Sequence, residues 1–422
     1  MVWSANIPYY QLSMKDRSTA RKIGDSAAWP REMALVLCCT RAAFGSDERA
    51  SIGELAGSEI DWDSVIRIAQ AHGVLPLLCR AKLPTGAVPP DIAARLESLF
   101  QSNARRSLFL TQELLHILRV LGKNCISAIP LKGPTLAALA YGDLALRQYL
   151  DLDILLQQRD VEKAIEALTN DRYELNPPLT PEQLQYELRS EHQHHLELSG
   201  ANGRVTIELH WQFMPARFFF TPDLDPMWNR HVQRSFAGAT VNGLSVEDLV
   251  IFLCVHGWKH HWSQLNWIAD LAGLIRNTTI DWPLLLHSAQ DTDSKRRVLL
   301  GFGLAQYLLH APLPPIVERE IRADRALDKL ILRAERTLVS QSLPQAARFG
   351  PYRHALAVSD GASHRARILY TFVRKIARLN EEDFAWITLP RSLFFLYYAL
   401  HPVRLAVQAM TRAASLDRRP SN

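Results

Sequence analysis

The sequence predicts an α+β fold, in which a small mixed β-sheet core is flanked by N-terminal and C-terminal helical regions. Apolar residues recur at three- and four-residue spacing from Arg31 to Gly122, which is typical of amphipathic helices. Residues 123–242 instead combine short alternating segments with turn signals, as strands and hairpins do. From Ser245 the helical spacing returns.

These changes of pattern divide the chain into four regions. We predict an N-terminal helical region at 1–122, in which residues 1–30 form a loose arm. A mixed core follows at 123–242, and a helical domain at 243–346 is expected to close a cleft over it. Residues 347–422 are predicted to be a linker and a basic C-terminal helical segment.

The bulk composition indicates a globular protein. A length of 422 residues suggests two to three domains, and 48% hydrophobic residues can bury a sizeable core. The net charge of +5 is compatible with a polyanionic ligand but is not diagnostic of nucleic acid. Five scattered cysteines without a C-x-x-C pair indicate reduced thiols, which favours a cytoplasmic location. We find no apolar run near the ~18–20 residues that a membrane span needs.

The N-terminal region has clear helix boundaries. Asp61 is placed to cap a helix beginning at Trp62, and His72-Gly73 ends it. Pro89-Pro90-Asp91 opens a further helix, and leucines recur at helical spacing from Leu108 to Leu121. We interpret this region as packing without chemistry.

Two aspartates of the core share one face of a predicted strand. Asp151 and Asp153 are two residues apart in the apolar segment 151–156, so the two-residue period of a strand puts both carboxylates on one side. Adjacent carboxylates repel each other unless a cation lies between them, and oxygen ligands suit Mg²⁺. The turn Lys132-Gly133 lies upstream and can present backbone N–H groups and an ammonium to phosphate. Alternatively, the pair is a solvated strand end and the turn only caps a helix.

A predicted hairpin offers a third carboxylate. Residues 194–199 and 204–211 have strand character, and 200–203 supply a glycine-containing turn. In the second strand Glu208 and His210 share one face. Glu208 is therefore either a further metal ligand or a surface residue of an edge strand.

The following region begins with two helices. The first runs from Val246 through His256 to Lys259, and the second carries Trp267. Lys259 lies one helical turn after His256, where it is either a phosphate contact or a solvated lysine. We interpret the tryptophans of this region as packing residues rather than as a base-stacking platform.

Histidines are numerous, but their spacing does not predict zinc. No H-E-x-x-H sequence and no paired cysteines accompany them. His194 and His195 are adjacent in a predicted strand, so we expect their side chains to point to opposite faces. His210 is expected to support a neighbouring metal ligand.

Taken together, these motifs resemble the uncharacterised nucleotidyltransferase family of the polymerase-beta-like superfamily. The residues that carry the resemblance are Lys132-Gly133, Arg147, Asp151-x-Asp153, His194-His195, the strand 207–211, His256, Lys259-His260 and Asp270-Leu271. The turn is Lys-Gly where the superfamily usually has Gly-Ser, and the third acid is a glutamate.

The resemblance implies a magnesium-dependent enzyme with a nucleotidyltransferase core. The catalytic and metal-binding residues it implies are Asp151, Asp153 and Glu208, which would hold Mg²⁺, with Mn²⁺ as an alternative. The residues it implies for the nucleoside triphosphate are Lys132, Gly133, Arg147 and Lys259. From the sequence, Arg147 either faces triphosphate or pairs with Asp143 or another acid.

The implied reaction moves a nucleoside monophosphate from an NTP, with ATP as the default, to an acceptor hydroxyl or phosphate and releases pyrophosphate. Relatives in natural-product or exopolysaccharide gene sets suggest a small peptide or sugar acceptor. Two alternatives stay open: a catalytically degenerate nucleotide-binding scaffold or sensor, and a toxin-like nucleotidyltransferase acting on tRNA or protein. The modest charge disfavours a nucleic-acid substrate.

Overall fold

The computed structural model describes residues 29–377, apart from 58–59, 82, 84–85, 191–192, 201, 219, 221, 341–349 and 360, together with isolated residues beyond 377. The predicted N-terminal arm therefore lies outside the described residues except for Trp29 and Pro30, and so does most of the predicted C-terminal segment. Within the described residues the predicted α+β fold is confirmed.

Five helices precede the sheet in the described part of the chain. They are α1 (Arg31–Ala43), α2 (Arg49–Ala56), α3 (Trp62–Ala71), α4 (Leu75–Arg80) and α5 (Pro90–Lys123). Asp61 caps α3 by accepting a hydrogen bond from the Ser64 backbone N–H at 3.1 Å. Helix α5 is continuous over 34 residues and joins the apolar runs on either side of its polar middle.

The central region alternates strands and helices. Its elements are β1 (Ala128–Pro130), α6 (Gly133–Tyr141), β2 (Asp151–Leu156), α7 (Val161–Thr169), β3 (Tyr173–Asn176), α8 (Pro181–Arg189), β4 (His195–Gly200), β5 (Val205–His210), α9 (Asp225–Asn229), β6 (Val232–Phe236) and β7 (Ala239–Gly243). Strands β1 to β5 of the described chain form one sheet in the order β1-β2-β5-β4-β3. Strands β2 and β5 are parallel, and the other neighbours are antiparallel.

The parallel register of β2 and β5 aligns the acidic residues. Asp153 is the register partner of Glu208, and Asp151 is the partner of Thr206. Side chains directly opposite each other in neighbouring strands project on the same face. The pairing therefore brings the two aspartates and the glutamate to one face of the sheet.

Several elements of this region were not predicted from the sequence, among them α8 and the β6–β7 hairpin. Helix α8 begins with a capping box, in which the Thr180 hydroxyl accepts from the Gln183 backbone and the Gln183 side chain accepts from the Thr180 backbone. The β6–β7 hairpin turns at Ala237 and Gly238, which both have positive φ angles, of 48° and 80°. Both signals are readable in the sequence as T-P-E-Q and as A-G between alternating residues.

The remaining helices of the described chain follow the hairpin. They are α10 (Val246–Lys259), α11 (Leu265–Asn277), α12 (Trp282–Asp291), α13 (Lys295–Leu309), α14 (Pro315–Ala323), α15 (Ala326–Ser340), α16 (Gly350–Ala357) and α17 (Ala362–Ala377). One apolar core packs α1–α4 against α10–α15, and a second lies between the sheet, α5 and α7. None of the described helices has both the length and the apolar character required to cross a bilayer.

His72 joins the N-terminal helices to α11. The residue is 1% exposed. Its Nδ1 accepts from the Leu265 backbone N–H at 3.3 Å, and its carbonyl accepts from the Asn266 N–H at 3.0 Å. Burial lowers the pKa of His72 to about 4. Between pH 6.5 and 4, His72 is therefore protonated in the unfolded chain and neutral in the folded chain.

We expect the free energy of unfolding to fall as the pH drops from 6.5 to 4. A shift of this size makes the His72 contribution about 3 kcal/mol. Urea unfolding between pH 7.5 and 4.5 should show a smaller acid-induced loss in His72→Gln than in the wild type. The control is His287→Gln, whose side chain is 74% exposed. Equal acid sensitivity of His72→Gln and the wild type would contradict the expectation.

Candidate active site

A cleft of about 590 Å³ lies over the face of the sheet that carries the acidic residues. One of its walls comes from α10 and α11, and another comes from α3 and α5. The lining residues predicted as site residues are Lys132, Arg147, Asp151, Asp153, Glu208 and Lys259. Gly133 directly follows Lys132 and is not itself part of the lining.

Asp153 is the centre of the polar contacts in the cleft. It is 2% exposed, and its Oδ1 lies 3.0 Å from Lys132 Nζ and 3.2 Å from His210 Nε2. The same His210 nitrogen lies 3.0 Å from Glu208 Oε2. One ligand atom each of Asp153, Glu208 and His210 lies within 4.8 Å of the other two. Residues from two strands therefore meet at one point.

The neighbouring charges set the protonation of these acids. Burial alone would raise the pKa of Asp153, but the Lys132 ammonium and the His210 hydrogen bond hold this pKa well below its usual range. Burial likewise opposes ionisation of Glu208, and the hydrogen bond from His210 lowers the pKa of this glutamate. Asp153 and Glu208 are thus carboxylates at neutral pH.

Asp151 and His210 are shifted in the opposite direction. Burial and the adjacent Asp153 carboxylate raise the pKa of Asp151. Burial lowers the pKa of His210, but its hydrogen bonds to Asp153 and Glu208 outweigh burial and raise it. Asp151 is therefore the acid whose negative charge is least compensated by the protein.

The acidic cluster fits a divalent cation. Asp153 Oδ2 is buried, and it has no hydrogen-bond partner among the described residues. Asp151 and Glu208 are half-buried beside it and add further carboxylate oxygens. Oxygen ligands of this kind suit Mg²⁺, which would also offset the repulsion that raises the Asp151 pKa. Asp151, Asp153 and Glu208 are the residues that could hold such an ion.

The Lys132-Gly133 turn connects β1 to α6 at the edge of the cleft. The Leu131 backbone N–H donates to the Asp153 carbonyl at 2.9 Å, which fixes the turn against β2. Gly133 has a φ of 63° and begins α6, where the first N–H groups of a helix have no partners within the helix. The turn can therefore offer N–H groups to an anion beside the Lys132 ammonium.

Replacing Gly133 by alanine is expected to lower the free energy of unfolding by about 1–2 kcal/mol, the penalty for a left-handed backbone at a residue with a Cβ. Sterics add little, since the nearest atom to an added Cβ is Leu152 Cδ2 at 3.6 Å. Gly142, at the other end of α6, has a φ of 68° and open space around an added Cβ. Gly142→Ala is the matched control for urea unfolding and for nucleotide binding.

Both alanine variants should lose similar stability, because both positions have a positive φ. Only Gly133→Ala should weaken nucleotide binding, measured by calorimetry with a non-hydrolysable ATP analogue. Equal nucleotide affinity in Gly133→Ala and Gly142→Ala would contradict a phosphate-binding role for the turn.

Arg147 has a structural partner that the sequence did not identify. The residue is 4% exposed, and its guanidinium donates two hydrogen bonds to Asp270 of α11, at 2.9 and 3.1 Å. Tyr141 donates its hydroxyl to the same aspartate at 2.8 Å. Asp143 instead accepts from the Ala145 backbone N–H. The Nη1 of Arg147 is buried without a hydrogen-bond partner among the described residues, so this residue of the cleft lining keeps one NH2 group unpaired.

Lys259 reaches the cleft from the last turn of α10. Its Nζ lies 3.4 Å from His194 Nε2. The side chain is half-buried and lines the cleft, so the structure places it beside the histidines as well as within the cavity.

Helix α5 contributes residues to the cleft that sequence reasoning assigned to packing alone. The Asn103 side chain donates to the carbonyl oxygens of Ala145 at 2.8 Å and Arg147 at 3.3 Å. Arg106 donates to the Leu150 carbonyl at 3.1 Å. These contacts fix the segment that leads into Asp151. The signal in the sequence is a polar stripe at residues 102, 103 and 106, opposite the leucines of α5.

Comparison with known proteins identifies a family for this chain. Searches of curated proteins and of solved structures found no match. A family model described as an uncharacterised nucleotidyltransferase matches residues 58–310, more than half of the 422-residue chain. The matched range contains all the predicted site residues together with α3, α5, α10 and α11 of the cleft walls. The chain belongs to the uncharacterised nucleotidyltransferase family.

Proposed function

We propose that this protein transfers a nucleoside monophosphate from an NTP, with ATP as the default donor, to an acceptor hydroxyl or phosphate and releases pyrophosphate. Mg²⁺ is the proposed cofactor, with Mn²⁺ as an alternative. The observation that carries the proposal is the convergence of Asp151, Asp153 and Glu208 beside the Lys132-Gly133 turn in one cleft. Membership of the family supports the transferase class.

The residues of the cleft divide into metal-binding and phosphate-binding groups. Asp151, Asp153 and Glu208 would hold Mg²⁺, which when bound supplies neutralisation of phosphate charge and activation of the attacking oxygen. Lys132 and the N–H groups after it would bind the triphosphate.

A second cationic group comes from Arg147, in the segment before β2, and from Lys259, in the last turn of α10. Arg147 and Lys259 line the cleft, and their Nη1 and ammonium groups would orient the triphosphate further. Because phosphoryl-group transfer depends mainly on positioning and charge stabilisation, these cations would contribute to the rate by holding the triphosphate and stabilising its charge. The acceptor would be a small peptide or a sugar, as the family resemblance suggests.

One observation favours a nucleotide-binding scaffold as the alternative. Lys132 already forms an ion pair with Asp153, and His210 bonds to both Asp153 and Glu208. Internal cations of this kind can hold the acids together without a metal. A protein that binds nucleotide but releases no pyrophosphate would match this alternative.

The test uses the full chain with α-labelled ATP, GTP, CTP and UTP, Mg²⁺ and a panel of acceptors taken from the products of neighbouring genes. We expect transfer of label to one acceptor together with pyrophosphate release, loss of both with EDTA, and recovery with added Mg²⁺. Asp151→Asn should lose both signals. Glu174→Gln, an exposed carboxylate on β3, is the matched control. Nucleotide binding without release would support the scaffold.

A further inference from the structure

Three imidazole rings meet beside the acidic cluster. A ring nitrogen of each of His194, His195 and His210 lies within 4.8 Å of those of the other two. His195 Nδ1 lies 3.1 Å from His194 Nε2, and the ring centroids of His195 and His210 are 5.0 Å apart. His194 is 4% and His210 is 5% exposed, so two of the three rings are almost fully buried.

The strand pairing explains why the rings converge. His195 begins β4 and is the register partner of His210 at the end of β5, so the two side chains project on the same face. His194 precedes β4, and its carbonyl accepts from the Trp211 backbone N–H at 3.0 Å. The expectation that His194 and His195 point to opposite faces is therefore wrong, because His194 lies outside the strand. Its ring packs edge-on against the ring of His195, with the two ring centroids 4.3 Å apart.

His210 has the hydrogen-bond pattern of a metal ligand. Its Nε2 faces the carboxylates of Asp153 and Glu208 and therefore carries a proton. Its Nδ1 is buried, and no group among the described residues hydrogen-bonds to it. Metal-binding histidines commonly donate one ring N–H to a carboxylate and give the other nitrogen to the metal.

We propose that His194, His195 and His210 form a binding site for a borderline transition-metal ion of the Zn²⁺ class, distinct from the carboxylate site for Mg²⁺. Imidazole nitrogens select Zn²⁺, Co²⁺, Ni²⁺ or Cu²⁺ over Mg²⁺, which prefers oxygen. The ion takes one nitrogen lone pair from each ring and displaces any proton held there. Three protein ligands leave a fourth position open, and His195 and His210 line the cleft from which the ion would be reached.

Lys259 provides an internal check on this placement. Its ammonium lies 3.4 Å from His194 Nε2, so it competes with a metal ion for the lone pair of that ring and repels an ion bound nearby. Replacing the ammonium by a neutral side chain of similar length removes this repulsion. Lys259→Met should therefore bind the ion about tenfold more tightly.

The experiment uses the untagged full chain, stripped with EDTA and titrated with Co²⁺ at pH 8. Tetrahedral Co²⁺ absorbs strongly in the visible range, so no activity assay is needed. We expect one equivalent of Co²⁺ to bind with a tetrahedral spectrum and to be displaced by Zn²⁺. Affinity should fall at least ~10–100-fold in His195→Gln and His194→Gln. Asp151→Asn and His287→Gln, the latter with a side chain that is 74% exposed, should keep the spectrum.

Circular dichroism of each variant separates loss of metal binding from unfolding. His195 is half-buried and His194 is buried, so replacing His195 should disturb the fold less. The proposal is overturned if no tetrahedral spectrum forms, or if folded His195→Gln retains it. Loss of the spectrum in Asp151→Asn would place the ion on the carboxylates and also overturn it. An unchanged or weaker affinity in Lys259→Met would contradict a site next to His194. None of these outcomes depends on nucleotidyl transfer.

Discussion

The substitution Asp153→Asn is expected to reduce the rate of pyrophosphate release by about 10³-fold. Asp153 is the one carboxylate that contacts both Lys132 and His210, and its second oxygen is buried without a partner in the described structure. An amide has the same shape but no negative charge, so Asp153→Asn would replace one of the two proposed ligand oxygens by an NH2 group and remove the nearest negative charge from the Lys132 ammonium. Initial rates at saturating ATP and Mg²⁺ measure the effect.

A second variant separates lost chemistry from lost folding. Breaking a buried ion pair destabilises proteins by about 3–5 kcal/mol, so Asp153→Asn must be shown to be folded by circular dichroism. The Glu208 side chain is 25% exposed, and Glu208→Gln should therefore fold normally and still lose about 10²-fold in rate. Glu174→Gln on β3 should retain the wild-type rate. Retention of transfer within tenfold in both Asp153→Asn and Glu208→Gln would show that these acids hold no metal needed for the reaction.

Much of this site is readable from local periodicity. A strand period places Asp151 and Asp153 on one face without any tertiary information, and the same holds for Glu208 and His210. The caps of α3 and α10 are likewise local, since Asp61 and Ser245 each bond to the backbone three residues later.

The sheet register is not contained in either strand alone. Asp153 faces Glu208 because β2 and β5 pair in parallel with this alignment, and a slip of one residue would send Glu208 to the opposite face. Apolar residues on both strands permit several registers, so only the packed sheet selects one. The sequence could therefore offer Glu208 as a candidate but could not bring it to the aspartates.

Polar pairs between distant elements are harder still to predict. Arg147 and Asp270 are 123 residues apart, and no periodic signal links them. The polar stripe of α5 is visible in the sequence, but a stripe of this kind usually faces solvent, and only the fold places it against the segment before β2. Buried contacts of this type depend on the final arrangement of helices around the sheet.

Loss of the Asp270 charge is expected to destabilise the protein by about 3–5 kcal/mol. Asp270 is fully buried and is the only counter-charge within salt-bridge distance of Arg147 among the described residues. Asp270→Asn keeps the shape but leaves a buried guanidinium without a negative partner. Urea unfolding at pH 7.5 measures the change. Asp291→Asn, with a side chain that is 62% exposed, is the control and should change the free energy of unfolding by less than ~0.5 kcal/mol.

The double variant Arg147→Met with Asp270→Leu separates the two roles of the arginine. Replacing both members of a buried ion pair by apolar residues is often neutral, so the double variant should be clearly more stable than Asp270→Asn. If Arg147 Nη1 binds triphosphate, this folded double variant should bind ATP at least tenfold more weakly than the wild type, since a charged hydrogen bond contributes about 1.5–3 kcal/mol. If the stable double variant binds ATP as tightly as the wild type, the role of Arg147 is limited to joining α11 to the segment before β2. In that case the triphosphate would depend on Lys132 and the first N–H groups of α6.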